Sequence, residues 1–145
     1  MNTANLEHRD RVLRAYFEGR NWDQNNEYAL RRHLVLHSEA LLPTYPFVVD
    51  DEWEVQPNRG QEGKGDLIFA DGAGRYAIVE VKWLDLTSTG KPASNKRTRK
   101  RKKVKEQAQE YADCFAQLLQ NFVQVEGYYF TNEHQTPQLI QNLAP

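Results

Sequence analysis

The stretch GKGDLIFADGAGRYAIVEVKWL, residues 63–84, decides the fold. Two apolar runs, Leu67–Ala70 and Tyr76–Trp83, flank the turn DGAG, the pattern of a β-hairpin. The second arm is so continuously apolar that both of its faces are expected to be covered. Three charges break the pattern: Asp66 opens the first arm, and Glu80 and Lys82 lie inside the second. A buried charge is tolerated only with a partner or an ion. The turn leaves the register open. A four-residue loop sets Ala70 opposite Arg75 and Asp66 opposite Val79, one position from Glu80; a two-residue loop on Asp71–Gly72 sets Asp66 beside Ala77. Within that range Asp66, Glu80 and Lys82 converge at one end of a sheet.

Two neighbouring carboxylates repel when both are ionised. A divalent cation removes the conflict, and carboxylate, water and phosphate oxygens are the ligands Mg2+ prefers. A lysine two residues on holds or helps to deprotonate a water, and it answers charge building on a phosphate. That is a minimal kit for phosphodiester hydrolysis. The plainer reading of an isolated Glu-x-Lys is an ion pair on the wet face of a hairpin.

Working outward, residues 5–18 are predicted as a helix stopped near Gly19, and 24–42 as a second one ended by Pro43. In the second, Leu30, Leu34, His37 and Leu41 share one face. Residues 46–56 read as a strand, 99–122 as a helix with the stripe Val104, Ala108, Tyr111, Phe115, Leu118 and Phe122, and 123–131 as a last strand. The expectation is one domain over 1–145, with a core at 24–131, a flexible basic loop at 86–98 and a loosely held tail at 132–145. Helices on a central sheet make the class α/β.

The quoted residues then resemble the PD-(D/E)xK nuclease superfamily. Gly65-Asp66-Leu67-Ile68-Phe69 and Ile78-Val79-Glu80-Val81-Lys82 carry the resemblance, with Gly65 where proline often stands. Gln107 and Tyr111 match the Gln-x3-Tyr helix motif of its RecB-like and related branches. The resemblance implies a restriction-endonuclease-like αβββαβ core, a central mixed sheet flanked by helices, here with an extra N-terminal helix. It implies Mg2+ (or Mn2+) held by Asp66, Glu80 and the Val81 carbonyl, with Lys82 at the attacking water and Gln107 orienting Lys82 or a phosphate. It also implies a carboxylate from the preceding helix, for which Glu27 and Glu39 compete. Glu27 falls about 20° from Leu34 at 100° per residue, near the packed face, whereas Glu39 falls almost opposite the stripe. Glu27 is therefore preferred, against its plainer role as a first-turn glutamate favoured by the helix dipole. Relatives with this fold often act as homodimers, although no interface is legible here.

Eight of the 19 basic residues crowd into Lys96, Arg97, Arg99, Lys100, Arg101, Lys102, Lys103 and Lys105, with no acid among them. Such a run reads as a contact to nucleic-acid phosphates, DNA before RNA, or as a nuclear-import signal, or as a solvated helix end. The single cysteine, Cys114, suits a reducing intracellular compartment, and the charged first twenty residues do not read as a signal peptide. His33 and His37, four apart, have the spacing for Zn2+ but no third ligand, and read as partly buried packing residues. Trp22, Trp53 and Trp83 read as core rather than as stacking platforms. Besides the nuclease, two functions stay open: a catalytically silent nucleic-acid-binding module with the same fold, and an interaction subunit.

Overall fold

The computed structural model describes residues 2–21, 24–55 and 63–145. Trp22 lies outside them, as does the end of the first predicted strand. Helix α1 (Thr3–Gly19) leads to α2 (Asn26–Leu36) and the short α3 (Ser38–Leu41). Strands β1 (Phe47–Glu54), β2 (Lys64–Ala70) and β3 (Arg75–Lys82) follow, then α4 (Lys91–Leu118), β4 (Gln124–Thr131) and β5 (Gln138–Leu143). The five strands form one sheet in the order β1-β2-β3-β4-β5. Only β3 and β4 pair in parallel, across the α4 crossover. The chain is thus an α/β protein with a mixed, open sheet.

Period-two alternation along the central strands sorts the core into two clusters. Leu67, Phe69, Ala77, Val79 and Val81 pack with Phe17, Leu34 and Val35 of α1 and α2. Ile68, Ala70 and Ile78 pack with Tyr111 and Ala112 of α4. Residues 77–81 are all buried, as a strand covered on both faces requires. Gly127 lets α4 approach β4 closely: a Cβ there would meet the Ala108 carbonyl oxygen at 2.9 Å.

Several sequence expectations are corrected. The hairpin takes neither register considered. Ala70 pairs with Tyr76 and Leu67 with Val79, because Asp71 closes a longer loop: its amide donates to the Arg75 carbonyl, and its Oδ1 accepts from the Ala73 and Arg75 amides. One step past Leu67–Val79, Asp66 comes level with Glu80. The predicted second helix breaks at His37 into α2 and α3. Residues 91–98 are not a flexible loop but the first turns of α4, which begins after Gly90 (φ 98°) with Pro92 in its first turn. The helix also ends earlier, at Leu118. The tail is not loose: Gln138–Leu143 is an edge strand on β4. His33 and His37 are exposed, with rings 4.8 Å apart, rather than partly buried. Among the described residues no helix is long and apolar enough to cross a membrane.

Candidate active site

The hairpin register carries Asp66 and Glu80 together at the ends of β2 and β3. The Asp66 amide donates to Glu80 Oε2 at 2.8 Å, and the Val81 amide donates to Asp66 Oδ2 at 2.8 Å. Each carboxylate thus completes the ladder for the other strand's backbone and keeps a second oxygen free of those bonds. Val81 enters the site through its main chain, its side chain lying in the core.

Gly65, next to Asp66, is fixed by packing. A Cβ there would lie 2.1 Å from Trp53 Nε1, so only glycine lets the Trp53 indole cross the strand. Trp53 is then held edge-on by Tyr111 and Phe115 of α4, at ring separations of 6.2 and 5.7 Å. This gives a physical reason for Gly-Asp in place of Pro-Asp.

Burial sets the electrostatics. Glu80 is only 3 % exposed. Desolvation first, and the neighbouring Asp66 charge second, push its carboxyl up to about 9. Asp66 is pushed up to about 6, again mainly by desolvation, against the opposing pull of the Val81 amide and Arg31. At neutral pH the pair therefore retains a proton, and a cation placed between them would displace it.

Helix α2 supplies two charged side chains. The Glu27 carboxylate lies 3.7 Å from Lys82 Nζ, with both side chains partly exposed. Glu39 is exposed on α3 with no ion pair among the described residues. Arg31, one turn beyond Glu27, reaches within 3.9 Å of Asp66 Oδ1 and 3.8 Å of Glu52 Oε1. Its side chain is 14 % exposed, and its Nε is buried without a hydrogen-bond partner. Sequence reasoning missed Arg31, although the same stripe that selected Glu27 carries it: Glu27, Arg31 and Leu34 are spaced four and three. Glu52 is the one non-glycine residue with positive φ (47°) among the described residues.

Gln107 lies half-buried on α4, one turn before Tyr111, and makes no hydrogen bond to Asp66, Glu80 or Lys82. Tyr111 is buried, and that burial first, with the Glu80 and Asp66 charges adding to it, holds its hydroxyl above the usual phenol range.

All of the basic run but Lys105 occupies the part of α4 before Val104, its first buried residue. Residues 91–103 form a solvated helical stretch of about 20 Å. Its cations are not equally available. Arg101 is bonded by both Glu133 oxygens, at 2.7 and 2.6 Å. Arg97 donates to the Asp85 and Ser88 carbonyls, and Lys105 lies over the Tyr129 ring. Lys96, Arg99, Lys102 and Lys103 are exposed, and Lys100 is half-exposed.

Among the described residues no three His, Cys, Asp or Glu side chains form a metal-binding group. The donors on offer are two carboxylates and backbone oxygen. That sparse, hard set fits Mg2+, which keeps much of its water. Comparisons with protein-family models, with curated proteins and with solved structures return no match to this chain.

Proposed function

We propose that this chain is a divalent-metal-dependent nuclease with a restriction-endonuclease-like core, hydrolysing phosphodiester bonds in DNA. One observation carries the reading: two adjacent carboxylates, the buried Glu80 and the partly buried Asp66, locked to each other's strands with Lys82 two residues on from Glu80. A structural ion pair would not place two like charges together away from water. Asp66, Glu80 and the Val81 carbonyl would hold Mg2+ or Mn2+, which would supply positive charge to the phosphate and acidify a bound water. Lys82 holds the attacking water, and Glu27 at 3.7 Å fixes the lysine's position. Gln107 stands on the approach from α4 and meets a phosphate oxygen rather than Lys82. The exposed cations of α4 follow the nucleic-acid backbone.

The purified protein with Mg2+ or Mn2+ should cleave within a panel of single-stranded, double-stranded and branched substrates. Asp66→Ala, Glu80→Ala and Lys82→Ala should each lower the rate by about 100-fold or more. Folded wild-type protein that cleaves nothing on the panel would refute the assignment.

One observation favours a second reading, a silent nucleic-acid-binding module. Arg31 already places a cation 3.9 Å from Asp66 Oδ1. Calorimetric titration with Mn2+ separates the two. Binding that disappears in Asp66→Ala and Glu80→Ala supports the enzyme, whereas its absence from the wild type supports the binder.

A further inference from the structure

Trp83 follows Lys82 directly, and its burial differs from sequence expectation. It is not core: it is 36 % exposed, whereas Trp53 is 6 % exposed. The strand ends at Lys82, so the next side chain leaves the sheet instead of entering the packing against α2. Trp83 lines a cavity of about 620 Å3 with Asn26, Leu84, Leu86, Thr87 and Asn132. Leu86 is also exposed, at 46 %. Asn132 is not available to a ligand through its amide, since its Oδ1 and Nδ2 are both bonded to the Leu84 main chain. The wall is therefore an aromatic face and an aliphatic side chain on a backbone held rigid by Asn132.

The position of this cavity limits its occupant. Asn26 on its wall precedes Glu27, the partner of Lys82, so the cavity adjoins the proposed reaction centre. Asp85 lines it too, and also lines a second cavity of about 300 Å3 with Ser88, Lys96, Arg97 and Lys100. Asp85 does not repel an anion there unopposed: its oxygens accept from Ser88 and Thr87, and Arg97 donates to its carbonyl. The order is thus carboxylates, lysine, aromatic cavity, basic helix. A cationic track beside an aromatic face is the arrangement that binds single-stranded nucleic acid, because every base has a face to stack while the backbone follows the charge. A base inside a duplex is already stacked and offers no free face.

We infer that the Trp83 cavity takes one unpaired nucleobase next to the scissile phosphate, so that the substrate is single-stranded nucleic acid or the single-stranded part of a branched one. The inference rests on the nuclease reading for the scissile phosphate alone; the stacking contact is independent of hydrolysis. Asn26, Leu86 and Lys100 border the bound strand.

The test is fluorescence anisotropy in EDTA, which prevents cleavage, with labelled DNA single strand, RNA single strand and DNA duplex of equal length. Wild type should bind a single strand more tightly than duplex, and the two single-stranded probes report whether the sugar matters. Trp83→Ala should weaken single-strand binding about 5- to 150-fold, the span one stacked base carries, and leave duplex binding unchanged. Trp83→Phe should keep most of the affinity. As a second measurement, unlabelled oligonucleotide should quench the wild-type tryptophan emission, and Trp83→Phe should remove that quenching. Unchanged single-strand binding in Trp83→Ala, an equal loss on duplex, or quenching that survives Trp83→Phe overturns the inference. Wild-type protein that binds in this way but cleaves nothing with Mn2+ would instead overturn the nuclease reading and leave this one standing.

Discussion

Asp66 and Glu80 hold each other in place through the backbone: the Asp66 amide binds Glu80 Oε2, and the Asp66 carboxylate binds the amide of Val81, Glu80's neighbour. The two carboxyl groups are therefore rigid before any ligand arrives. Rigidity here opposes their mutual repulsion, and the cost falls on stability at high pH.

That cost is measurable. Glu80 is raised from an ordinary 4.5 to about 9, and Asp66 from 3.8 to about 6, so the folded state binds more protons than the unfolded one between these limits. Stability of the metal-free protein must then fall as pH rises, most steeply below about pH 6 where both groups contribute, then more gently through Glu80 alone up to about pH 9, and level off above it. Glu80→Gln keeps an oxygen for the Asp66 amide and removes the charge. It should raise stability at pH 9 by roughly 2 kcal/mol, about 6 °C in Tm, and make no difference at pH 4. Thermal unfolding in EDTA across this range checks it; a Tm difference independent of pH would contradict the burial argument.

Arg31 should behave in the opposite sense. It lies 3.9 Å from Asp66 Oδ1 and is itself mostly buried. Arg31→Gln leaves the carboxylates without their nearest cation, so it should destabilise by about 1–3 kcal/mol at pH 8 and by less at pH 5, where the pair is protonated. If the guanidinium stands where cationic charge is needed, millimolar Mn2+ should recover more stability in Arg31→Gln than in wild type. Equal recovery in both proteins would show that Arg31 does not share the site with the metal.

Gly65→Ala tests the support beneath Asp66. The new methyl would fall 2.1 Å from Trp53 Nε1, far inside van der Waals contact, and the indole is itself wedged against Tyr111 and Phe115. A loss of about 2 kcal/mol or more is expected, from overpacking with no room to relax. Replacing Trp53 by a smaller residue in the Gly65→Ala background should restore part of it, a coupling that a double-mutant cycle in urea would measure.

Much of this was legible because the hairpin's signals are local. Alternation fixed which residues of Leu67–Ala70 and Ala77–Val81 share a face, and burial of both faces made Glu80 conspicuous. The order of helices and strands up to Thr131 followed from the same periodicity. What escaped depends on distant parts of the chain. Residues 138–143, QLIQNL, lack period-two alternation, and Leu139 is 52 % exposed; they form a strand because β4 offers an open edge. The loop register depended on Asp71 accepting two amides, which the DGAG pattern does not specify. Lys91-Pro92 resembled a loop, yet proline in a first turn starts a helix, and the Lys and Arg that follow are good helix formers. Trp83 was misread by residue type alone, since its exposure follows from the strand ending one residue earlier.

The basic stretch yields a prediction that separates its cations. Affinity for nucleic acid should fall with salt, with a slope near 0.7–0.9 per phosphate neutralised, depending on whether the strand is single or double. Lys96, Lys100, Lys102 and Lys103 have their charges largely in water, and the Lys102–Glu106 pair at 3.9 Å is too exposed to hold one back. Replacing these four by glutamine should reduce the slope by about 3. Arg101→Gln should change it little, because both Glu133 oxygens already bond that guanidinium. Its effect should appear in stability instead, as loss of the tie between α4 and the turn after β4. Binding isotherms at a series of NaCl concentrations distinguish the cases. A slope that drops as much for Arg101→Gln as for any single lysine would mean that Glu133 releases the arginine to the phosphate. A slope unchanged by the fourfold substitution would remove the helix from the nucleic-acid contact and leave its charges as solvated surface.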